Sequence, residues 1–99
     1  MWIGWIELDL RLGDVHSLKT KRSIVRPIVA ELRRHLQVSA AETSSVDLHR
    51  RAGVGVSAVS GDRSHVLEVL DRAERLVLDH VEVEVLSSRT RVIEAGDVT

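Results

Sequence analysis

The sequence has no cysteine, phenylalanine, tyrosine or asparagine, and its single proline is Pro27. Without cysteine there can be no disulfide, no thiolate metal site and no thiol nucleophile. A small domain lacking such staples is expected in a reducing cytoplasm. The only aromatics of the Phe, Trp, Tyr set are Trp2 and Trp5, so the core must be built from Val, Leu, Ile and Ala. Valine dominates these, which favours strands because its branched Cβ fits a pleated surface. No apolar run approaches the roughly 20 residues that span a bilayer. The first residues alternate apolar and polar instead of opening with a charged start and an apolar block, so they read as a strand and not a signal peptide. Neither sign of charge is in large excess, the formal net charge being −1.

The 99 residues fit one domain, expected over residues 1–95, with 96–99 as a frayed tail. Apolar residues at 43% and charged residues at 29% are too many and too balanced for a disordered chain. The small net charge conceals an asymmetry. Between His16 and His35 lie Lys19, Lys21, Arg22, Arg26, Arg33 and Arg34 against Glu31 alone, whereas acids outnumber arginines from Asp62 onward. Such polarity bears on partners more than on fold.

Trp2 to Leu12 alternates strictly, with Ile6, Leu8, Leu10 and Leu12 on one face and Glu7, Asp9 and Arg11 on the other. This is a half-buried strand. A helix follows at about 100° per residue. Its apolar side is Ile24, Val25, Ile28, Val29, Leu32 and Leu36; Lys19, Arg22, Arg26 and Arg33 form a stripe opposite. Lys21 falls on the apolar side, so either the helix begins after it or its stem snorkels. Pro27 predicts a kink or a loosened first turn. Val38–Thr43 and Arg51–Val59 read as strands around a Ser-Ser and Asp47 turn. The small residues Gly53, Gly55 and Ser57 would let a helix lie close on their face. Ser60 or Asp62 caps a second helix ending near Asp79. Its core stripe is Val66, Val69, Leu70, Ala73, Leu76 and Val77, with Leu67 and Leu78 outside it. A last strand region covers Val81–Val85 and Leu86–Ile93.

The order β-α-β-β-α-β predicts an α+β, ferredoxin-like fold: a four-stranded antiparallel sheet with two helices on one face. Trp5 shares its strand's odd-numbered face with Glu7 and Asp9, the side left open. An open face with apolar spots suits self-association, so Trp5, Leu67 and Leu78 are candidate interface residues.

Three segments carry a family resemblance: GDVHSLKTKRSIVRPIVAELRRHLQVSAAET over 13–43, DLHRRAGVGVSAVSGDRSHVLEVLD over 47–71, and VEVLSSR ending at Arg89. Together they resemble the YlxP-like family of small bacterial proteins, nearly end to end and in one register. The WIGWIELDL opening looks closest to actinobacterial members. Much of the family has an aromatic after the Asp-Leu pair where this chain has His49. The resemblance implies the ferredoxin-like fold and no established activity. Members are often encoded beside translation initiation factor two and ribosome-binding factor A, which implies an association with translation or maturation of the small ribosomal subunit.

The basic stripe is the first candidate for chemistry. Lysines and arginines at helical spacing can follow a phosphate backbone, and Arg34, Arg50 and Arg51 would extend the patch if they fold nearby. A solvated helix face is the plainer reading. With so few aromatics to stack bases, any RNA binding should be led by phosphate and shape. Acylphosphatase is the enzyme of this fold against which to compare Gly13–Ser17 and Arg22. Its phosphate cradle wants glycine where Ser17 stands, Asp14 would repel the anion, and the asparagine that positions water is missing. Ser60, Asp62 and His65 crowd a helix start and read as caps, not a triad. The histidines His16, His35, His49, His65 and His80 show no ligand-pair spacing. Glu82 and Glu84 read as solvent-facing alternation. The expectation is therefore a non-enzymatic cytoplasmic binding protein, without cofactor, metal or membrane attachment. It would be a homodimer, with ribosomal RNA or the small ribosomal subunit as partner through Lys19, Arg22, Arg26, Arg33, Arg34, Arg50 and Arg51. A protein-interaction module with no nucleic-acid role is the alternative.

Overall fold

The computed structural model describes residues 1–98. Strand β1 (Trp2–Leu12) leads through the turn at Gly13–Asp14 into helix α1 (Leu18–His35). Strands β2 (Ser39–Ser44) and β3 (Arg51–Ser60), helix α2 (Arg63–Leu78) and strand β4 (Val83–Glu94) follow, and a 3-10 turn spans Ala95–Val98. The sheet order is β2-β3-β1-β4, with every neighbouring pair antiparallel. This is the ferredoxin-like arrangement. The expected tail over 96–99 lies partly outside the described residues; within them, the backbone N–H of Ala95 donates to the Met1 carbonyl at 2.8 Å. Val81, expected in the last strand, sits in the turn before β4 and is 94% exposed.

One apolar cluster explains the layering. Ile6, Leu8, Leu10 and Leu12 of β1 and Ala52, Val54, Val56 and Ala58 of β3 point to the same side. There they meet Val25, Ile28, Val29 and Leu32 of α1 and Val66, Val69, Leu70, Ala73 and Val77 of α2. The period-two and 3.6-residue patterns thus converge on a single core.

Glycine does different work from that expected of the β3 sequence. No helix lies on the face of Gly53 and Gly55. The neighbouring strand fills it: a Cβ at Gly55 would come within 2.7 Å of Thr43 Cγ2, and one at Gly53 would collide with the Ser44 hydroxyl. The close helix approach is at buried Gly4, where a Cβ would strike Val66 and Leu70 of α2. Pro27 does not loosen the first turn either. Lys21 N–H donates to the Ser17 carbonyl at 3.1 Å, and Ser17 Oγ caps the helix by accepting the Thr20 N–H. Pro27 lies on the exposed side, where water can solvate the carbonyl that it leaves without a donor.

Lys21 departs most from expectation. The helix includes it and its head does not snorkel: the side chain is 1% exposed. Its Nζ donates to the Ser45 carbonyl at 2.6 Å and the Val46 carbonyl at 3.3 Å, and lies 2.8 Å from Glu42 Oε2. That carboxylate oxygen is buried and has no aligned hydrogen bond, so the ion pair is what compensates it. Three oxygens around one ammonium meet the condition under which a buried charge is tolerated. Ser45 has φ 58°, a left-handed conformation unfavourable for a side-chain-bearing residue. The ammonium bond to its carbonyl holds it there.

Two outcomes follow for stability. Lys21→Ala strands the Glu42 carboxylate and should cost about 3 kcal/mol in urea unfolding, with Lys21→Met/Glu42→Gln recovering part of the loss. At the α2 N-terminus, hydrogen bonds from the Ser64 hydroxyl and then its N–H hold the Asp62 pKa below the ordinary carboxylate value. Its contribution is present above the unfolded pKa and fades as pH falls through the lower folded one. Asp62→Ala should therefore lower the thermal midpoint at neutral pH, and that difference should shrink in strong acid.

Candidate anion-binding surface

Lys19, Arg22 and Arg26 repeat at three and four residues and so share the side of α1 opposite its core stripe. With Ser23 and Pro27 they line an open groove of about 390 Å³. Among the described residues none of the three has a carboxylate within ion-pair distance, and neither does Arg34, exposed in the last turn. Helix α2 contrasts with this. Its Arg72 pairs with Glu68 and its Arg75 with Asp71, each one turn back. The Asp71 contact raises the pKa of Arg75.

The acids that could have neutralised α1 are engaged elsewhere. Glu31, the only acid on that helix, lies 3.0 Å from His80 Nε2 in the turn before β4. Glu42 is taken by Lys21. Asp14 sits 2.6 Å from His16 in the exposed loop before the helix. The stripe is thus a local excess of positive charge that the fold leaves open to water.

The other basic residues are placed apart from it. Arg33 donates through Nε and Nη2 to the Ala40 carbonyl, at 2.9 and 2.5 Å, bracing the helix end against edge strand β2. Arg50 donates through Nε to the Gly13 carbonyl at 2.7 Å. Arg51 lies on the open face of the sheet, where it pairs with Asp9. The charged residues of that face answer one another across strands: Arg11 with Glu84 at 2.6 Å, and Glu7 with Arg89 at 3.7 Å. Both pairs are directly opposite in register.

Of the candidate interface residues, Trp5 is on this open face, while Leu67 and Leu78 are on α2 in the other layer, 37% and 56% exposed. The three do not form one surface. Exposed His49 sits in the β2–β3 connection. Ser60 Oγ accepts the Asp62 N–H and Asp62 accepts from Ser64, so Ser60 and Asp62 are engaged in capping the helix beside His65. Arg22 lines the α1 groove with Lys19 and Arg26, not the Gly13–Ser17 loop. Among the described residues no three His, Asp or Glu side chains converge as metal ligands, and no helix is long and apolar enough to cross a membrane.

Sequence reasoning missed the Lys21–Glu42 pair, the His80–Glu31 contact and the Arg33 brace. Lys21 on an apolar helix face was the one available signal. The other two join segments whose proximity only the fold defines.

A ferredoxin-like α+β sheet with one unneutralised helix face is therefore the class of protein at hand. The chain belongs to the family described as Protein of unknown function (DUF503), whose model matches residues 3–90. It is similar to the uncharacterized protein YlxP of Bacillus subtilis (strain 168), being 30% identical over 88 residues, which cover 89% of this chain and 96% of that protein.

The arginines of α1 separate by substitution. Arg33→Ala removes two bonds to Ala40 and should cost about 1 to 2 kcal/mol. Arg22→Ala and Arg26→Ala should each stay within about 0.5 kcal/mol. Urea unfolding of the three single variants reads the difference.

Proposed function

We propose that this chain is a non-enzymatic, cytoplasmic binding protein that contacts the phosphate backbone of structured RNA through the outer face of α1. The observation carrying this reading is the row of Lys19, Arg22 and Arg26, with Arg34 beyond, exposed and without carboxylate partners among the described residues, whereas Arg72 and Arg75 of α2 are neutralised by acids one turn back. The row from Lys19 to Arg26 spans about 10 Å at 1.5 Å per residue, enough to meet more than one phosphate. Cations held on a rigid helix release counterions on meeting a polyanion. Small-subunit ribosomal RNA is the RNA favoured by the gene neighbourhood of the family that the chain resembles. An actinobacterial source rests on the resemblance of the WIGWIELDL opening alone.

A second reading is self-association through α2. Leu67 and Leu78 are eleven residues apart, three turns within about 20°, so both exposed leucines lie along one line of that helix. A symmetric dimer could bury them together.

The test is co-sedimentation with small ribosomal subunits, and RNA binding, as a function of salt. The triple variant Lys19→Glu/Arg22→Glu/Arg26→Glu should bind at least about tenfold more weakly, with a salt slope reduced by about 2 to 3. No RNA binding by the parent protein at low salt overturns the reading. Light scattering on the same samples separates the second: a strict monomer excludes it.

A further inference from the structure

We propose that the open face of the sheet holds a second, independent site, which takes a nucleobase against Trp5 and the attached phosphate at flanking arginines. Trp5 stands half-buried in the first half of β1, one of the two inner strands of the sheet. Register places Arg91 of β4 on one side of it and Ser57 of β3 on the other. The Arg91 guanidinium lies over the indole, 5.9 Å from the ring centroid, which fixes the ring by a cation–π contact. On the other side the surface drops to Ser57 and Gly55, then to Ser39 and Ala41, their direct partners on β2. The drop makes a groove of about 490 Å³ with Trp5 as one wall and Arg33 at the far rim.

Both size and chemistry point to this occupant. Adjacent strands lie about 4.8 Å apart and same-face neighbours about 7 Å apart along a strand, so the floor matches a single heterocyclic ring. An indole wall and a floor of small side chains suit a flat, largely apolar ring. The serine hydroxyls can meet its polar edge. Among the described residues Glu7 is the one carboxylate lining the groove, and it faces Arg89 at 3.7 Å, so Arg33 leaves the far rim positive, with Arg91 on the opposite side of the indole. An inorganic anion would use the arginines and not the wall; a neutral aromatic would use the wall and not the arginines. A nucleotide uses both, as on other sheet surfaces that stack bases. A second copy of this chain is disfavoured, because the remainder of the face is a ladder of charge pairs, Arg11–Glu84, Asp9–Arg51 and Glu7–Arg89. The nucleotide can come from single-stranded RNA or from the free pool. From α1 the site takes Arg33 alone, and it does not need the Lys19, Arg22 and Arg26 row to bind RNA.

The full chain carrying Trp2→Phe reports on Trp5 alone, since the sequence has two tryptophans. It is titrated with a uridine oligomer, adenosine monophosphate and inorganic polyphosphate. Base stacking should quench Trp5 emission with the oligomer or the mononucleotide, and polyphosphate should leave it unchanged. Quenching by the oligomer alone assigns the site to single-stranded RNA, and by the mononucleotide to free nucleotide. In the chain with Trp2 intact, Trp5→Leu should weaken binding of the quenching ligand about 5- to 100-fold by calorimetry. Should that variant misfold by circular dichroism, Ser57→Leu fills the floor beside the ring, as its direct partner on β3, and should abolish quenching relative to that variant's own unliganded emission. Quenching should persist in Lys19→Glu/Arg22→Glu/Arg26→Glu. Absent quenching, equal quenching by polyphosphate, or undiminished quenching in Ser57→Leu overturns the site. If parent RNA binding fails but mononucleotide quenching persists, the α1 reading falls and this one stands. If the triple variant loses RNA binding and Trp5 never responds, the reverse holds.

Discussion

A lysine ammonium inside the protein sets the geometry of this domain. Lys21 reaches out of α1 into the β2–β3 turn, where two carbonyls and the Glu42 carboxylate surround it. The contact joins the first half of the helix to a connection some two dozen residues later in the chain. A hydrophobic contact could slide or rotate at small cost. A buried charge cannot leave its oxygens without losing several kcal/mol, so the rotation of α1 about its own axis is fixed. Once Lys21 points inward, helical periodicity requires Lys19, Arg22 and Arg26 to point outward.

The distribution of acids completes that surface. Each carboxylate within reach of α1 has a partner that keeps it off the stripe: Glu42 with Lys21, Glu31 with His80, Asp14 with His16. On α2, Glu68 and Asp71 stand one turn from Arg72 and Arg75 and cancel them. On the open sheet face, opposite charges face each other across strands. The near-neutral net charge therefore conceals a row of like charges along one helix. Positive potential follows from where the pairs are, and not from total charge.

Much of this was legible in the sequence. The alternation of Trp2–Leu12 and the 3.6-residue stripes of both helices led directly to the element order and the core, because each pattern is local and repeats. The exposure of Leu67 and Leu78 and the capping by Ser60 and Asp62 were legible for the same reason. Contacts between distant segments were not. Whether Gly53 and Gly55 faced a helix or a neighbouring strand depended on which sheet face was covered. Whether Arg33 joined the outer stripe of α1 or turned to β2 depended on where β2 began relative to the end of α1. Arg50 and Arg51 are adjacent in sequence, yet one braces a loop and the other turns to the open face. Lys21 was visible as an anomaly, but the oxygens that receive it lie in a turn with no sequence pattern of its own.

The Arg33 brace also bears on how the sheet ends. Its guanidinium occupies a carbonyl of β2, one of the two outer strands. Among the described residues no side chain caps the backbone of β4 in this way. Pairing between β1 and β4 shifts between Asp9 and Leu10, whose partners are Ser87 and Val85, so that Leu86 has no opposite number. Such an irregularity interrupts the ladder that an added strand would follow. The sheet consequently has a direction of growth. A foreign strand, whether ligand or aggregation seed, has its longest uninterrupted template along Ser87–Glu94.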